Sequence, residues 1–202
     1  MAKEYEGIVI GTGSGVSLVN PILEQREGKV AVIDKDQPGG ICLTRGCIPS
    51  KNLLSAADAV RSIQRSDQFG IKSSIQEIDF SQVMSRMHSH IDSEIDQLRK
   101  NFMRSEAIDY YNEPAEFIEP YTLKVAGERI RSDLIILCTG SKPLIPDIDG
   151  LEEVDYLTSR SILDLDSKPE SLIILGGGYI GVEYGHFFSA MGTEVTVVEM
   201  KE

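Results

Sequence analysis

The sequence predicts an α/β fold in which a Rossmann-like βαβ domain with a β-meander is followed by the start of a second βαβ unit. Near the N-terminus an apolar strand, a glycine-rich turn, a helix and a second strand ending in an acid occur in that order. The same order begins again at Leu172. Between the two copies, short β-rich segments are separated by turn residues, which is typical of an antiparallel meander.

The first unit begins with the apolar run 8–10 of EGIVIGTGSGVSLV and continues into a helix that we expect to extend to Gly28. The glycines of its turn are Gly11, Gly13 and Gly15. The strand KVAVID follows and ends at Asp34. A tight glycine turn and a helix N-terminus suit a pyrophosphate, and the carboxylate suits ribose hydroxyls. Because Val16 replaces the third glycine of GxGxxG, we expect a displaced helix or a small compensating partner.

The second unit, LIILGGGYIGVEYG, carries the complete glycine pattern in Gly176, Gly178 and Gly181. We expect its helix to extend to about Met191 and its second strand, EVTVV, to end at Glu199. The separation between the first glycine and the acid is the same in both units. A single glycine motif is weak evidence, but two copies with matching strand, helix and acid positions predict two dinucleotide-binding units.

The segment GGICLTRGCIPSK contains two cysteines, Cys42 and Cys47, which we interpret as a pair that cycles between dithiol and disulfide. Such a pair closes only if the first cysteine lies in a loop, because positions i and i+5 of one helix point in different directions. Gly46 supplies backbone freedom. Pro49 suits a first helical turn, which places Cys47 at a helix N-terminus where a thiolate is stabilised.

A metal site is the weaker interpretation of these cysteines, and we predict none. The third cysteine, Cys138, lies in the apolar run LIILC, and the three histidines are scattered along the chain. A structural disulfide suits secreted proteins, whereas this N-terminus is charged and lacks an apolar signal segment. We therefore expect a redox pair in a reducing, cytoplasmic setting.

Charge and hydropathy restrict the partners. The 202 residues carry a net charge of −12, which argues against nucleic acid or an anionic membrane as partner. No apolar run approaches the roughly 20 residues that a membrane span needs.

The chain between the two units predicts helices at 49–65 and 80–105, the second with one apolar stripe. His88 and His90 are two positions apart, so we interpret them as solvent-exposed. Segments 108–111, 115–118, 122–125 and 128–130 predict the meander, and LIILC returns the chain to the sheet. The best boundary is 147–150, which gives a first domain at 1–148 and an incomplete second domain at 149–202.

Four motifs in order, GTGSGV, GGICLTRGCIPSK, CTGSKPLIP and GGGYIGVEYG, span nearly the whole chain. Together they resemble the flavin-containing pyridine nucleotide-disulfide oxidoreductases, the group of dihydrolipoamide dehydrogenase, glutathione reductase and mercuric reductase. The resemblance implies FAD on the first unit and NAD on the second. The implied cofactor contacts are Gly11, Gly13, Ser14, Gly15, Asp34, Lys35, Gly39, Gly40, Ala115, Thr139, Gly140 and Ser141 for FAD, and Gly176, Gly178, Tyr179, Ile180, Gly181 and Glu199 for NAD.

The same resemblance implies the catalytic roles. Cys47 is the sulfur beside the flavin, and Cys42 exchanges with the substrate. Lys51 approaches flavin N5 and pairs with Glu183, so that its ammonium stabilises negative charge on the reduced flavin. Tyr179 covers the nicotinamide pocket.

Within the group, the ending CIPSK and the acid Glu199 favour dihydrolipoamide dehydrogenase, which oxidises dihydrolipoamide with NAD. The alternatives are an NAD(P)H-dependent reductase of another small disulfide or of mercuric ion, or an inactive flavin-binding fragment. Ile41, Thr44 and Arg45 depart from the usual cysteine loop. Arg45 either lowers a thiol pKa or attracts an anionic substrate, or it is a solvated surface residue.

Members of the group continue past the position of Glu199 into domains that supply the general base and the dimer interface. The resemblance therefore implies a homodimer for a full-length protein, acting on a small disulfide or a lipoyl domain. His186 does not match that base. We expect the 202 residues by themselves to be inactive in disulfide exchange and prone to self-association.

Overall fold

The structure is a computed structural model that describes residues 1–200. They form two compact units, each built from two segments: Met1–Thr44 with Ile91–Lys142, and Arg45–His90 with the chain from Pro143 onward. We call these unit 1 and unit 2. Each unit combines two separate segments of the chain, whereas the predicted domains divide the chain once, at residue 148. The predicted domain boundary therefore stays a prediction.

Unit 1 contains eight strands and unit 2 contains two among the described residues. The strands are Lys3–Glu4 (β1), Gly7–Ile10 (β2), Val30–Ile33 (β3), Ile108–Tyr111 (β4), Ala115–Glu119 (β5), Thr122–Val125 (β6), Glu128–Arg131 (β7), Ile135–Leu137 (β8), Ser171–Leu175 (β9) and Glu194–Val198 (β10). The α-helices are Val19–Gln25 (α1), Gly40–Arg45 (α2), Cys47–Gln64 (α3), Phe80–Arg104 (α4) and Tyr179–Ala190 (α5).

A four-stranded parallel sheet in the order β4-β3-β2-β8 organises unit 1. Its central strands are short, apolar and buried, as expected for a parallel sheet covered on both faces. The assignment of residues 108–111 to the meander was wrong, because this strand follows helix α4 and pairs with β3 in parallel. The return of the LIILC segment to this sheet is correct, since β8 pairs with β2.

The second sheet of unit 1 has the order β1-β7-β6-β5 and contains the predicted meander. Strands β5, β6 and β7 are antiparallel neighbours, and β1 adds to β7 in parallel. The β6–β7 turn has Ala126 and Gly127 at φ 49° and 80°, the left-handed backbone that a tight hairpin requires.

Side chains at alternate positions of the parallel strands point to opposite faces of the sheet and pack into two separate cores. Ile8 and Ile33 face the second sheet, where they join a cluster with Leu123. Val9 and Val32 face the opposite way and cluster with Phe102 of α4. The apolar stripe predicted for 80–105 therefore packs in unit 1 through the C-terminal part of α4.

The chain after the first glycine turn departs from the predicted helix to Gly28. Residues Ser14–Leu18 form a 3₁₀-helix, in which the Val16 N–H donates to the Gly13 carbonyl at 3.2 Å, and α1 is short. In unit 2 the equivalent of Val16 is Gly181, where an added Cβ would lie 2.4 Å from the Gly176 carbonyl oxygen. A valine does not fit such a contact, so the displaced helix expected from Val16 takes this tighter form.

Unit 2 is built on the parallel pair β9–β10, with α5 packed on one face and α3 against α5. Phe187 and Phe188 of α5 are fully buried and contact Phe80, with ring centroids 6.1 Å apart in both pairs. On the other face of the pair, Ile173 and Leu175 are 68% and 53% exposed. In the described part of the chain, no helix has the length and apolar character needed to cross a membrane.

A charged cluster joins the two sheets of unit 1 around Asp109. Its carboxylate accepts hydrogen bonds from Tyr5 Oη and Lys29 Nζ, each at 2.8 Å, and forms an ion pair with Lys3 Nζ at 2.7 Å. Burial pushes the pKa of Asp109 upward, but the hydrogen bonds from Lys29, Lys3 and Tyr5 outweigh it and hold that pKa well below its usual range.

We expect Asp109→Asn to lower the free energy of unfolding by about 1–3 kcal/mol at pH 7, because three donors lose a charged acceptor. The matched control is Asp133→Asn. Asp133 pairs with Arg26 at 2.5 Å, but its side chain is 78% exposed against 19% for Asp109, so its loss is expected to be smaller. Urea denaturation measures both. Equal losses in the two variants would contradict the structural role of Asp109.

The contribution of Asp109 to the free energy of unfolding decreases at low pH. Because the folded pKa of Asp109 is lowered, its contribution is complete above the unfolded value of about 3.9 and is lost as the pH falls through the folded value. The difference between wild type and Asp109→Asn should therefore be constant from about pH 5 to 8 and shrink below about pH 4.

Candidate functional site

The glycine turn of unit 1 depends on close backbone contacts. Gly11 has φ 109°, and an added Cβ would lie 2.0 Å from the Cys138 carbonyl oxygen. Gly40 has φ 61°, and an added Cβ there would lie 2.4 Å from the Gly13 Cα. The turn and the start of the cysteine segment therefore lie backbone to backbone, and only glycine fits at Gly11 and Gly40.

The acid Asp34 is held by its neighbours. Its Oδ2 accepts hydrogen bonds from Thr12 N at 2.8 Å and Thr12 Oγ1 at 2.5 Å, and its Oδ1 accepts one from Asp36 N at 3.0 Å. The Asn112 side chain donates to the carbonyls of Asp34 and Asp36. The carboxylate thus lies at the glycine turn, where a ribose beside a pyrophosphate would meet it.

Sequence analysis missed Thr12 and Asn112. A hydroxyl residue between two turn glycines was a usable signal for Thr12, because serine and threonine readily bond local backbone. Nothing in the spacing indicates Asn112, which is 78 positions from Asp34.

The other residues that were predicted to contact FAD lie at several separate places in the fold. Ser14 opens the 3₁₀-helix, and Lys35 is exposed. The segment 139–141 follows β8 and is exposed, with the Cβ position of Gly140 3.5 Å from Ile41 Cδ1. Ala115 is the first residue of β5 and packs against the core between the two sheets. The roles of these residues toward a cofactor stay predictions.

Unit 2 repeats the turn and acid arrangement. Gly176 has φ 101°, and the Gly177 N–H donates to Glu199 Oε2 at 2.7 Å. Gly178 precedes α5, and apart from this glycine and its two chain neighbours no atom of residues 1–200 lies within 4 Å of its Cβ position. The approach to the first turn of α5 is therefore open to a phosphate. Tyr179 and Ile180 begin α5 and are 80% and 43% exposed.

The two cysteines occur in consecutive helices. Cys42 is an exposed thiol within α2, so the expectation that it lies in a loop was wrong. Gly46, with φ −134° and ψ −114°, interrupts the helical chain and supplies the break that a loop was expected to provide. Cys47 is an exposed thiol and the first residue of α3, with Pro49 in the same turn. Its position matches the predicted helix N-terminus, where unpaired N–H groups lie.

Lys51 and Glu183 form an ion pair within unit 2, between α3 and α5. The pKa of Glu183 is lowered by hydrogen bonds from Lys51 and then from Ser50, a second contribution that the sequence did not indicate. Because the pKa of Glu183 is lowered in the folded protein, the ion pair contributes to the free energy of unfolding at pH values above the unfolded pKa. This contribution is lost only as the pH falls through the lower folded pKa.

His88 and His186 have partners that sequence analysis did not predict, whereas His90 is exposed as predicted. His88 Nε2 lies 3.0 Å from the Leu163 carbonyl and is half-buried, so its assignment as a solvent-exposed residue was wrong. His186 Nε2 lies 3.2 Å from Asp58 Oδ1. Among residues 1–200, no group of three or more His, Cys, Asp or Glu side chains is arranged to hold a metal ion.

Comparison with known proteins identifies the class. Residues 5–202 match the family described as pyridine nucleotide-disulphide oxidoreductase, and the chain belongs to this family. Its members use FAD and a nicotinamide dinucleotide. The residues present fit such groups, because each unit brings an acid to a glycine turn that opens onto a helix.

Two curated relatives illustrate the similarity. The chain is 34% identical over 210 residues to dihydrolipoyl dehydrogenase from Acholeplasma laidlawii, covering 100% of this chain and 61% of that protein. It is 32% identical over 203 residues to mercuric reductase from Staphylococcus aureus, covering 98% of this chain and 36% of that protein. The chain thus spans less than two thirds of these relatives.

Among solved structures, the HOCl-induced flavoprotein disulfide reductase RclA from Escherichia coli is similar to this chain. It superposes with a TM-score of 0.81 at 30% identity, covering 96% of this chain and 42% of that one. The predicted fold class is confirmed by this likeness and by the family match.

Proposed function

We propose that the whole protein oxidises dihydrolipoamide with NAD, through FAD and a Cys42/Cys47 disulfide. One observation carries the proposal: α3 begins at Cys47 and presents Lys51 one turn later, in an ion pair with Glu183 of α5. A thiol and a fixed ammonium therefore belong to the same helix, and the second nucleotide unit supplies the counter-charge. The similarity to dihydrolipoyl dehydrogenase of A. laidlawii supports this choice of substrate.

The proposed reaction begins at the disulfide between Cys42 and Cys47. One thiolate of dihydrolipoamide attacks the Cys42 sulfur, and the Cys42–Cys47 bond breaks with Cys47 leaving as thiolate. The second substrate thiolate then displaces Cys42, which closes the lipoamide disulfide and leaves both cysteines reduced. When bound, FAD supplies the two-electron carrier between this dithiol and NAD, so the sum is dihydrolipoamide plus NAD⁺ to lipoamide, NADH and a proton.

The remaining proposed roles belong to the residues around these sulfurs. Cys47, the first residue of α3, is assigned to the flavin side, and Lys51 is assigned to place a positive charge where the reduced cofactor accumulates negative charge. Glu183 keeps the Lys51 ammonium in place. The proposed substrate is a lipoyl domain or a free small disulfide. We also propose that the whole protein forms a homodimer and acts in the cytoplasm.

A second candidate is the NAD(P)H-dependent reduction of another small disulfide or of mercuric ion. Arg45 favours the reduction of an anionic disulfide, because a cation between the two cysteines in the sequence would attract it, whereas the same charge does not favour a mercuric cation. The mercuric reductase of S. aureus and RclA of E. coli show that similar chains occur in proteins with these other names.

A substrate panel tests the proposal in the whole protein. The assay measures kcat/KM for NAD⁺ with dihydrolipoamide, and for NADH or NADPH with lipoamide, glutathione disulfide and mercuric ion. We expect the lipoamide couple to exceed the others by at least about tenfold, equivalent to about 1.4 kcal/mol of transition-state binding.

Cys42→Ser is the control and should remove lipoamide turnover while leaving direct NADH oxidation by small dyes. A higher value for another acceptor would select the second candidate. Bound flavin without turnover of any acceptor would select an inactive flavin-binding protein.

A further inference from the structure

Both nucleotide units share one hydrogen bond between the turn and the acid. In unit 1, Thr12 N donates to Asp34 Oδ2 at 2.8 Å, and in unit 2, Gly177 N donates to Glu199 Oε2 at 2.7 Å. These two backbone groups occupy the same position in the repeat, one residue after the first glycine. The shared bond places an acid beside each turn, whatever side chain follows the first glycine.

Unit 1 adds a second link that unit 2 lacks, because Gly177 has no side chain. The Thr12 hydroxyl donates to Asp34 Oδ2 at 2.5 Å and accepts a hydrogen bond from Gly39 N at 3.0 Å. Thr12 is 2% exposed, so neither bond is readily replaced by bulk water. A hydroxyl is suited to this position because it donates and accepts at the same time.

Gly39, whose N–H donates to the Thr12 hydroxyl, is the first residue of the cysteine segment. Gly39 immediately precedes α2, which contains Cys42. The next residue, Gly40, already lies against Gly13, with an added Cβ only 2.4 Å from the Gly13 Cα. The glycine turn therefore contacts the cysteine segment through backbone packing and through one hydroxyl, all within unit 1.

We propose that Thr12 is a positioning residue that couples the nucleotide acid Asp34 to the cysteine segment at Gly39. Its hydroxyl holds the carboxylate at the turn and satisfies the Gly39 N–H, so ribose binding at Asp34 stabilises the segment 39–45. The coupling rests on the proposed function only in taking the adenosine ribose of FAD as the ligand of Asp34. The hydroxyl link itself is independent of that assignment.

Three variants of the whole protein separate the hydroxyl from the shape of the side chain. Thr12→Val has the same shape and can neither donate nor accept, Thr12→Ser keeps the hydroxyl, and Thr12→Gly reproduces the arrangement of unit 2. The matched control is Thr122→Val, because Thr122 is also 2% exposed and its hydroxyl donates to a backbone carbonyl, in β6.

The first measurement is amide hydrogen exchange of a peptide covering 39–45 in the protein without FAD. We expect exchange to be faster by about tenfold in Thr12→Val and Thr12→Gly and to stay within about threefold of wild type in Thr12→Ser, because only serine satisfies the Gly39 N–H. Unchanged exchange in both Thr12→Val and Thr12→Gly would overturn the proposal. So would an equal change in Thr122→Val.

The second measurement is the dissociation constant for FAD and for its analogue lacking the adenosine 2′-hydroxyl. We expect wild type and Thr12→Ser to prefer FAD by about tenfold, and Thr12→Val to prefer it by only about threefold, because Asp34 loses the hydroxyl bond and keeps its bonds to the backbone N–H groups of residues 12 and 36. Retention of the full preference in Thr12→Val would overturn the coupling.

The two measurements also separate this inference from the proposed function. If wild type does not distinguish the two flavins, Asp34 is not the ribose ligand and the coupling is wrong, while exchange without FAD still decides whether Thr12 holds the cysteine segment. If circular dichroism shows that Thr12→Val does not fold, Thr12→Gly is used for both comparisons. Like Thr12→Val, it removes the hydroxyl and retains the backbone bond to Asp34.

Discussion

Replacing Cys47 by serine is expected to abolish the long-wavelength absorption band that appears when the whole protein is reduced by one equivalent of dithiol. Such a band requires a thiolate in contact with the flavin. Cys47 is assigned that position because it is the first residue of α3, where helix N–H groups stabilise negative charge. Catalysis of disulfide exchange should fall by at least about a thousandfold, since one half of the redox pair is missing.

Two cysteine variants control this result. Cys42→Ser should also stop disulfide exchange but retain the band, because the sulfur assigned to the flavin side is still present. Cys138→Ser should retain both the band and activity, as Cys138 packs beneath the glycine turn and lies outside the segment 39–51. A band that survives in Cys47→Ser and disappears in Cys42→Ser would exchange the roles of the two sulfurs.

Replacing Glu199 by glutamine is expected to change nucleotide choice more than any other single substitution in unit 2. Glu199 Oε2 accepts a hydrogen bond from Gly177 N, which places the carboxylate at the second glycine turn. There it can accept ribose hydroxyls and would repel a 2′-phosphate. We expect wild type to prefer NADH over NADPH by at least about a hundredfold in kcat/KM, and Glu199→Gln to lose about tenfold or more of this preference.

The matched control for nucleotide choice is Glu194→Gln. Glu194 opens β10, whereas Glu199 follows its other end, so the control removes the same charge from the opposite end of the same strand. Its nucleotide preference should equal that of wild type. Equal use of both nucleotides by wild type would show that Glu199 does not control this pocket.

Much of the organisation was predictable because it depends on patterns that are local in the chain. Both βαβ units, their glycine turns and their acids occur where the spacing placed them. Helices α3 and α4 match their predicted limits to within two residues. These features follow from apolar periodicity and from backbone preferences near glycine and proline, which act over a few residues.

The errors concern interactions that join distant parts of the chain. Residues 108–111 have the composition of a meander strand, and only pairing with β3 assigns them to the parallel sheet. His88 contacts the Leu163 carbonyl, which is 75 positions away in the chain, so this contact forms only when the chain folds. Cys42 lies in a helix because Gly46, and not Cys42 itself, provides the interruption.

The amino-acid sequence by itself determined the fold class, the family, the two nucleotide units and the candidate residues Cys42, Cys47, Lys51 and Glu183. Only the tertiary structure decided that the helix after the first turn begins as a 3₁₀-helix and that Thr12 links Asp34 to Gly39. The reason is physical: periodicity and turn preferences act between neighbours in the chain, whereas a buried hydroxyl or carboxylate takes its partner from whatever polar group folding brings within about 3 Å.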